Sequence, residues 1–378
     1  MLQNNYSVIG IMSGTSLDGV DIAYCDFWFD GKWNFKINCA KTYEYTNEWY
    51  NKLKNANNLN TVDFLLLHKE YGSFIGNLVN VFIKEHSINK VDLISSHGHT
   101  IFHQPEYKLN FQLGDGSFIA AQTLITTVSD FRTLDIALGG QGAPLVPIGD
   151  ELLFSNYDYC LNIGGISNIS FKYNNKRIAF DICPSNIVLN YLANKISLKY
   201  DEYGNIARKG KINEELLLQL NELEYYYLPY PKSLGREWIE KYFIPIIDNK
   251  NIPLHDKLAT CVEHIAIQIS KNIFTNGKIL ITGGGAHNKY LIERISNLLK
   301  NELVIPDDNI VNYKEALIFA FLGLLRWNRE VNVLKSVTGA THNTISGNVY
   351  IIDSKKDVYC QDVECLEMKM GINESVIK

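Results

Sequence analysis

The sequence lacks the long apolar runs and the strong charge imbalance that are typical of membrane or nucleic-acid-binding proteins. No run of 18 apolar residues occurs in the 378 residues, so no transmembrane helix is predicted. The formal net charge is only −5, so electrostatics gives no reason to expect a nucleic acid or an anionic membrane as a partner. The first ten residues lack the basic and apolar regions of a signal peptide, and we therefore expect a cytoplasmic protein.

Cysteine is present but is not arranged for a structural role. The seven cysteines are scattered, their number is odd, and no C-x-x-C spacing occurs. This pattern argues against a zinc knuckle and against a disulfide framework, and it predicts reduced thiols.

The composition and the apolar patterning indicate a globular α/β protein. The chain is 46% hydrophobic and 20% charged, and its length suffices for two domains of ordinary size. Short apolar runs alternate with segments of helical periodicity. The predicted strands are 6–11, 20–28, 91–96, 124–129, 177–180 and a strand–turn–strand unit at 158–173, and the predicted helices are 61–88, 185–198, 212–222, 256–275 and 314–327.

A turn rich in small residues joins the first two predicted strands, within IGIMSGTSLDGVDIAY (9–24). Gly14 and Gly19 would permit positive φ and close approach of a ligand. The hydroxyls and the amides of such a turn can bind an anion. It is not a Walker A loop, because G-K-[ST] is missing and a strand follows where a helix should. Taken alone, the turn is equally typical of an ordinary tight hairpin.

Two further glycine turns change that interpretation. NIGGISN (162–168) is again strand, turn and strand, and TGGGA (282–286) lies between a strand and a helix. The triple glycine lacks G-x-G-x-x-G spacing, so a dinucleotide fingerprint fits poorly. One phosphate loop in each half, followed by a triple-glycine turn beside the adenosine, is the layout of two-domain actin-like ATPases. The order of the three turns therefore predicts an ATP site.

Longer motifs resemble one family over nearly the whole chain. They are GIMSGTSLDGVD (10–21), SHGHTIFHQP (96–105), FQLGDGSFIA (111–120), SDFRTLDIALGGQGAPLVP (129–147), LNIGGISNIS (161–170), YDEYGNIARKG (200–210), PKSLGRE (231–237), ITGGGAHN (281–288), EALIFA (315–320) and SVTGAT (336–341). Through these motifs the sequence is similar to the anhydro-N-acetylmuramic acid kinase family of the actin, hexokinase and acetate kinase superfamily.

The resemblance implies a fold and a reaction. The fold would be α/β, with two actin-like (ribonuclease H-like) domains and the nucleotide in the cleft between them. We predict one domain at 1–130, joined by the C-terminal segment 346–378, and a second at 131–345. The implied enzyme uses ATP, Mg²⁺ and water to hydrolyse the 1,6-anhydro ring of a small sugar, anhydro-N-acetylmuramic acid, and phosphorylates O6. The product, N-acetylmuramic acid 6-phosphate, belongs to peptidoglycan recycling, and a homodimer is expected.

The sequence departs from the family pattern at a few positions. Family members usually read D-T-G-P-G-N where this chain has Asp181-Ile182-Cys183-Pro184-Ser185-Asn186, so two glycines are replaced. The added Cβ atoms should narrow the backbone's φ range and crowd a ligand. His99 also replaces a family glutamine, and the tail beyond 353 is longer than expected.

The site residues follow from the motifs and from the chemistry. Water must be activated at C1, and the departing O6 can attack the γ-phosphate of ATP, so one base suffices; we predict Asp181, after strand 177–180, as that base. Glu315 is the second carboxylate, although it could instead merely open a helix at 314. Asp18 is the predicted magnesium ligand. The predicted cofactor-binding residues are Gly14, Thr15, Ser16, Leu17, Asp18, Gly19, Val20, Asp21, Gly164, Gly165, Gly283, Gly284 and Gly285, and the predicted substrate-binding residues are His97, Asp130, Arg132, Pro184 and Asn186.

Several alternatives remain open at this stage. Arg132, Lys232 and Arg236 are all candidates for the lactyl carboxylate of the sugar or for phosphate, because guanidinium and ammonium groups bind such anions. The aromatic run EYYYLPY (224–230) is either a stacking platform or a packing loop. The other functions considered are a kinase for a different anhydrosugar or amino sugar, a non-catalytic nucleotide-binding module, and a glycoside hydrolase that uses Asp181 and Glu315 without ATP.

Overall fold

A computed structural model describes residues 5–14, 17–248 and 251–353, and within them the chain forms twelve strands and thirteen α-helices. The strands are β1 Asn5–Ser13, β2 Gly19–Phe29, β3 Trp33–Glu44, β4 Leu93–Gln104, β5 Leu109–Leu113, β6 Thr127–Ser129, β7 Tyr159–Ile163, β8 Ile166–Tyr173, β9 Lys176–Pro184, β10 Lys278–Thr282, β11 Glu302–Val304 and β12 Asn348–Tyr350. The helices are α1 Asn47–Lys54, α2 Thr61–Glu85, α3 Gly116–Thr123, α4 Thr133–Ala137, α5 Pro147–Leu153, α6 Asn186–Asn194, α7 Glu214–Asn221, α8 Arg236–Trp238, α9 Ile244–Asp248, α10 Leu254–Ser270, α11 Lys289–Leu298, α12 Asp308–Trp327 and α13 Lys335–Thr338.

The strands form two sheets that share one plan. The first has the order β12-β6-β4-β1-β2-β3, with β5 paired to β4, and the second has the order β11-β10-β7-β8-β9. In each sheet three consecutive strands form an antiparallel meander. A later strand, β4 or β10, pairs in parallel with the meander's first strand, and a further strand, β6 or β11, pairs in parallel with that one. This repeated plan is that of the actin-like fold, so the predicted fold class is confirmed.

Helix α12 lies between the two sheets. Twelve of its residues are buried, on all sides of the helix, as expected for a helix inside a large core. Its apolar side chains cluster with residues of β1 and β2 and with Cys160 and Leu280, which come from β7 and β10. The domain limits remain a prediction. Strand β12 belongs to the first sheet, and α12 packs mostly on strands of that sheet.

Helix α2 covers the other face of the first sheet for reasons visible in its sequence. Its buried residues include Leu67, Tyr71, Ile75, Val79 and Phe82, which recur every three or four residues and so form one stripe. The Asn60 side chain caps the helix by accepting hydrogen bonds from the first-turn amides. The stripe completes a core with alternate side chains of β1, β2 and β4.

The structure corrects several predicted elements. Strand β3 was not predicted, because it is an edge strand whose side chains are mostly half-buried or exposed. Asp181 lies inside β9 rather than in a turn after a strand ending at 180. Helix α12 begins at Asp308, so Glu315 lies in its interior and does not open it. Among the described residues, no helix is long and apolar enough to cross a bilayer.

Candidate active site

A cleft of about 1060 Å³ is lined by residues of the second and third glycine turns and by both predicted carboxylates, whereas no described residue of the first turn lines it. Its lining includes Gly164 and Gly165 of the second turn, Gly283 of the third, Asp181 and Glu315. Other polar residues on its wall are His103, Gln141, Asp150, Asn162, Asn168, Ser170, Lys232, Ser233, Glu237, Asn312 and Lys314. The cleft therefore joins groups that lie far apart in the sequence.

Asp181 faces this cleft from an irregular point in β9. The β8–β9 pairing shifts by one residue between Ser167 and Asn168, which places Ile182 in a bulge next to Asp181. Such bulges redirect neighbouring side chains and are frequent beside active sites. Burial raises the pKa of Asp181 to about 6, although the Leu234 N–H donates to its Oδ2 at 2.9 Å and favours the ionised form. A carboxyl with a pKa near neutrality is suited to general base catalysis.

The segment from Tyr225 to Leu234 holds the strand that carries Asp181. The Tyr225 hydroxyl donates to the Asp181 carbonyl at 2.6 Å, and the Asp181 N–H donates to the Lys232 carbonyl at 3.2 Å. Tyr226 bonds His264 through its hydroxyl at 2.8 Å, whereas Tyr227 is exposed. The aromatic run therefore serves packing at Tyr225 and Tyr226.

Glu315 reaches the same cleft from α12. Tyr313, two residues earlier, has non-helical dihedral angles (φ −118°, ψ 16°), so the helix is kinked just before it. The Glu315 side chain is exposed within the cleft, although many protein atoms surround it. Burial and the nearby Asp21 carboxylate raise the pKa of Glu315, while Arg132 and Lys314 oppose that rise.

The second and third glycine turns leave open space where a ligand could approach the backbone. A Cβ added at Gly165 would meet nothing closer than 3.8 Å, so the missing side chain is not needed for packing. The same holds for Gly284, where the nearest atom would be 3.7 Å away. Gly283 is different, because its φ is 82° and a Cβ would lie 2.5 Å from Asn162 Oδ1. These turns fit a phosphate-bearing ligand that lies against the backbone.

The first turn carries the acidic groups. Asp18 is exposed, and Gly19 lets β2 approach β3, since a Cβ there would lie 2.5 Å from the Tyr43 carbonyl oxygen. The expectation that Gly19 would adopt a positive φ is wrong. In this turn the positive φ occurs at Leu17 (60°) instead. Val20 is fully buried in the core. Two further predicted residues, Thr15 and Ser16, lie outside the described residues, and Gly14 accepts the Leu17 N–H at 3.3 Å.

Asp18 and Asp21 are the groups of this turn that suit a cation. The Thr42 hydroxyl donates to Asp21 Oδ1 at 2.6 Å, and burial followed by the nearby Asp18 charge raises the pKa of Asp21. Within residues 5–14, 17–248 and 251–353, no three His, Cys, Asp or Glu side chains form a metal-binding group. One or two carboxylates fit a magnesium ion that keeps its waters and binds substrate phosphates.

Three predicted substrate residues belong to the first half of the chain, and two of them, His97 and Arg132, contact each other. Arg132 donates to His97 Nε2 (2.7 Å from Nη2) and to the Gly142 carbonyl (2.5 Å). His97 Nδ1 lies 2.7 Å from the Gly98 carbonyl, so both ring nitrogens have partners, and burial followed by the Arg132 charge lowers the pKa of His97 well below its usual range. Asp130 accepts the Thr133 hydroxyl at 2.6 Å. They are not among the residues that line the cleft, although Arg132 acts electrostatically on Glu315.

The other two predicted substrate residues lie beyond the second turn. The Asn186 side chain donates to the Ile163 carbonyl at 3.1 Å and lines a second cavity of about 390 Å³, together with Gly284. Pro184 ends β9 opposite Ile166. Of the replaced family glycines, Cys183 is buried in the core, where burial raises its pKa, and the Ser185 hydroxyl donates to the Gly164 carbonyl at 2.8 Å. Neither replacement lines the main cleft.

The candidate basic residues for binding the sugar carboxylate have different surroundings in the structure. Lys232 lines the cleft beside Asp181, and its Nζ donates to the Tyr225 carbonyl at 3.1 Å; no carboxylate of the described residues lies within 4.0 Å of it. Arg236 is exposed and pairs with Glu240 at 2.7 Å. Sequence reasoning missed Asp150 and Lys314, which form a buried ion pair at 2.7 Å in the cleft wall. No local motif marks that pair, because its members come from distant helices.

Comparisons with known proteins agree with the sequence motifs. A family model described as anhydro-N-acetylmuramic acid kinase matches residues 6–352. The chain is 35% identical over 370 residues to a curated "Anhydro-N-acetylmuramic acid kinase" of Sulfurovum sp. (strain NBC37-1), covering 92% of this chain and 100% of that protein. A protein of the same name from Aliivibrio fischeri is 36% identical over 375 residues, covering 90% of this chain and 98% of its own length.

Solved structures show a more distant likeness. Component A of (R)-2-hydroxyglutaryl-CoA dehydratase from Acidaminococcus fermentans has a TM-score of 0.45 at 12% identity, covering 84% of this chain and 97% of that one. A ligand-bound xylulose kinase from Lactobacillus acidophilus has a TM-score of 0.42 at 11% identity, covering 84% and 89%.

Proposed function

We propose the reaction of this protein from one premise: the chain belongs to the anhydro-N-acetylmuramic acid kinase family, as its sequence motifs predicted. It is an ATP-dependent sugar kinase that hydrolyses the 1,6-anhydro ring of anhydro-N-acetylmuramic acid and phosphorylates O6. The product is N-acetylmuramic acid 6-phosphate, and the reaction serves peptidoglycan recycling. The observation that carries this proposal is the presence of Asp181, Glu315 and two glycine turns on one cleft.

Asp181 acts as the general base. Its carboxylate takes a proton from water while the water oxygen bonds to C1 and the C1–O6 bond breaks. O6 then bonds to the γ-phosphorus of ATP, and the bond to the oxygen of ADP breaks. The pKa of about 6 supports this role, because the group is ionised at neutral pH yet basic enough to accept the proton.

Glu315 orients the attacking water or balances charge as O6 departs. It faces the cleft from α12, whereas Asp181 faces it from β9 of the second sheet. Arg132 and Lys314 favour its ionised form. The two carboxylates therefore act from different structural layers on one substrate.

ATP lies along the glycine turns. The open backbone at Gly164 and Gly165 faces the main cleft, and Gly284 borders the second cavity. We place the phosphates at the first two turns and the adenosine at the third, beside the second cavity. Asp18 would hold magnesium, and an ion bound there would offset the negative charge of the phosphates.

Lys232 binds the lactyl carboxylate of the sugar. Its ammonium lies at the cleft beside Asp181 and is not neutralised by a carboxylate of the described residues. Arg132 is committed to His97 and Gly142, and Arg236 is committed to Glu240. The free energy that burial of an ammonium group costs is offset when an anionic ligand pairs with it.

Three broader features belong to the proposal as well. The two domains predicted at 1–130 with 346–378 and at 131–345 close on the ligands around the glycine-rich crossing at 137–147. The enzyme is a homodimer, as the family resemblance implies, and it acts in the cytoplasm. Solution scattering with a non-hydrolysable ATP analogue and sugar tests closure, and light scattering after gel filtration tests the dimer.

Turnover in oxygen-18 water tests the central reaction. We expect the label on the anomeric carbon of the product and none in the phosphate ester, with initial inversion at C1 because no covalent sugar–enzyme intermediate forms. Label in the phosphate would mean that water attacks phosphorus. Sugar opening without ATP would instead favour a glycoside hydrolase, and other anhydrosugars assayed in parallel test the substrate assignment.

A further inference from the structure

We propose that the buried ion pair of Asp150 and Lys314 is a positioning device that sets Glu315 relative to Asp181. This inference rests on the function proposed above for those two carboxylates. It assigns a role to two residues that no sequence motif singled out. Neither residue needs to contact the substrate for the role to hold.

The ion pair is almost completely removed from solvent. The Lys314 ammonium lies 2.7 Å from Asp150 Oδ1, and their side chains are only 7% and 4% exposed. The Ser170 hydroxyl donates to Asp150 Oδ2 at 2.5 Å, and the Phe154 ring lies 5.1 Å from the ammonium. Burial is the largest influence on the pKa of Lys314 and lowers it, but Asp150 and Cys160 together raise it, so the net shift is upward and the lysine stays charged.

One end of this device leads to Asp181. Ser170 lies on β8, where it pairs with Ala179 of β9, two residues before Asp181. The chain Ser170–Asp150–Lys314 therefore connects the second sheet, through α5, to the helix that carries Glu315. It is a polar connection between α12, which carries Glu315, and β8, the strand that pairs with the β9 strand from which Asp181 projects.

The other end fixes the turn of α12 that carries Glu315. On the far side of that turn, α12 packs against β1 at Gly10, where a Cβ would lie 2.0 Å from the Ala316 carbonyl oxygen. Lys314 and Ala316 are thus both held, each by a different layer, and the helix is kinked at Tyr313 immediately before them. Glu315, between the two anchors, is left to project into the cleft.

A purely structural purpose explains this pair poorly. Replacing a buried ion pair by neutral side chains of similar volume is often neutral or even stabilising, so such pairs are not needed for stability alone. The Lys314 charge also acts on Glu315 directly, together with Arg132, and against Asp21. Position and ionisation of Glu315 therefore both depend on the pair.

The test compares a neutral pair in two backgrounds. Asp150→Asn/Lys314→Met keeps an acceptor for Ser170 but removes the connection to α12. In the otherwise native enzyme we expect kcat to fall by roughly tenfold, while KM for sugar and for ATP stays within about twofold of the native values. A loss in kcat without a change in KM indicates an effect on the transition state. In a Glu315→Gln background the same double substitution should lower kcat by less than about twofold, because the pair acts through Glu315.

Controls separate this inference from a general loss of structure. Lys172→Met removes an exposed lysine that pairs with Glu151, next to Asp150, and should leave kcat unchanged. Thermal unfolding checks that the double variant is folded; if it is not, Ser170→Ala should show the same kcat-selective loss at about threefold. An equal loss in both backgrounds, or an unchanged kcat, overturns the inference. Full activity of Glu315→Gln alone would instead remove the role proposed for Glu315, and the inference with it.

Discussion

The hairpin β1–β2 and the hairpin β7–β8 occupy the same place in two sheets of the same plan, but they present different chemistry. The first carries Asp18 on the surface, with Asp21 close behind it. The second turn has no charged residue between Ile163 and Ile166, and both of its glycine carbonyls accept hydrogen bonds from backbone N–H groups at the start of α6, which follows β9. One hairpin therefore supplies negative charge and the other a neutral, fixed backbone.

This difference suggests how the two halves share the proposed reaction. A carboxylate placed against the phosphates of ATP would repel them unless a cation lies between, so the acidic hairpin suits magnesium. The neutral hairpin can accept phosphate directly against its backbone. The proposed base, Asp181, belongs to the half with the neutral hairpin, whose turn contributes no further carboxylate.

Removing the base should have the largest effect. We expect Asp181→Asn to lose at least about 100-fold in kcat, the usual scale for a general base, while ATP still binds. The variant should also be more stable at pH 8 by about 1–2 kcal/mol, because a buried charge is removed and the Asn oxygen can still accept the Leu234 N–H. Stopped-time assays and thermal unfolding measure both. Near-native turnover would transfer the base role to another residue, Glu315 first.

Neutralising the acidic hairpin should come second. We expect Asp18→Asn to lose roughly 30-fold in rate at limiting magnesium and to regain much of it at high magnesium, because the ion is held less tightly. The protein should stay folded, since Asp18 is exposed. A magnesium titration of the rate measures this. A variant with an unchanged magnesium dependence would show that Asp18 does not hold the ion.

The pH dependence of kcat and of stability should test Asp181 as the proposed base. Because Asp181 must be ionised, kcat should fall about tenfold per pH unit below about pH 6. The sign for stability is opposite: the folded state binds the proton more tightly, so the Asp181 contribution to the free energy of unfolding decreases as pH rises from about 4 through 6. Rate profiles and pH-dependent unfolding of the native protein and of Asp181→Asn check both. A kcat that is flat down to pH 5 would contradict the assignment.

The sequence predicted the features that short local motifs mark better than those that depend on tertiary packing. Local motifs mark the glycine turns at Gly164 and Gly283 and the proposed base Asp181, and the structure places all three on one cleft. The interior position of Glu315 in α12 could not, since the polar residues from Asp308 onward weaken the apolar pattern there. The Asp150–Lys314 contact depends on tertiary packing of two helices, which no local pattern encodes.

The smallest expected effect concerns the anchoring of the neutral hairpin. Ser185→Gly restores the residue usual in the family and removes the hydroxyl that donates to the Gly164 carbonyl at 2.8 Å. We expect KM for ATP to rise about twofold to threefold with kcat unchanged, and the free energy of unfolding to fall by about 1 kcal/mol, because one buried hydrogen bond is lost and the chain gains freedom when unfolded. Ser167→Ala is the matched control, because the buried Ser167 hydroxyl has no hydrogen-bond partner among the described residues, and its loss should leave KM for ATP unchanged and should not lower the free energy of unfolding. Steady-state kinetics and denaturant unfolding measure the pair of variants. If both variants behaved alike, the neutral hairpin would not depend on its anchor at Ser185, and the two hairpins would differ in charge only.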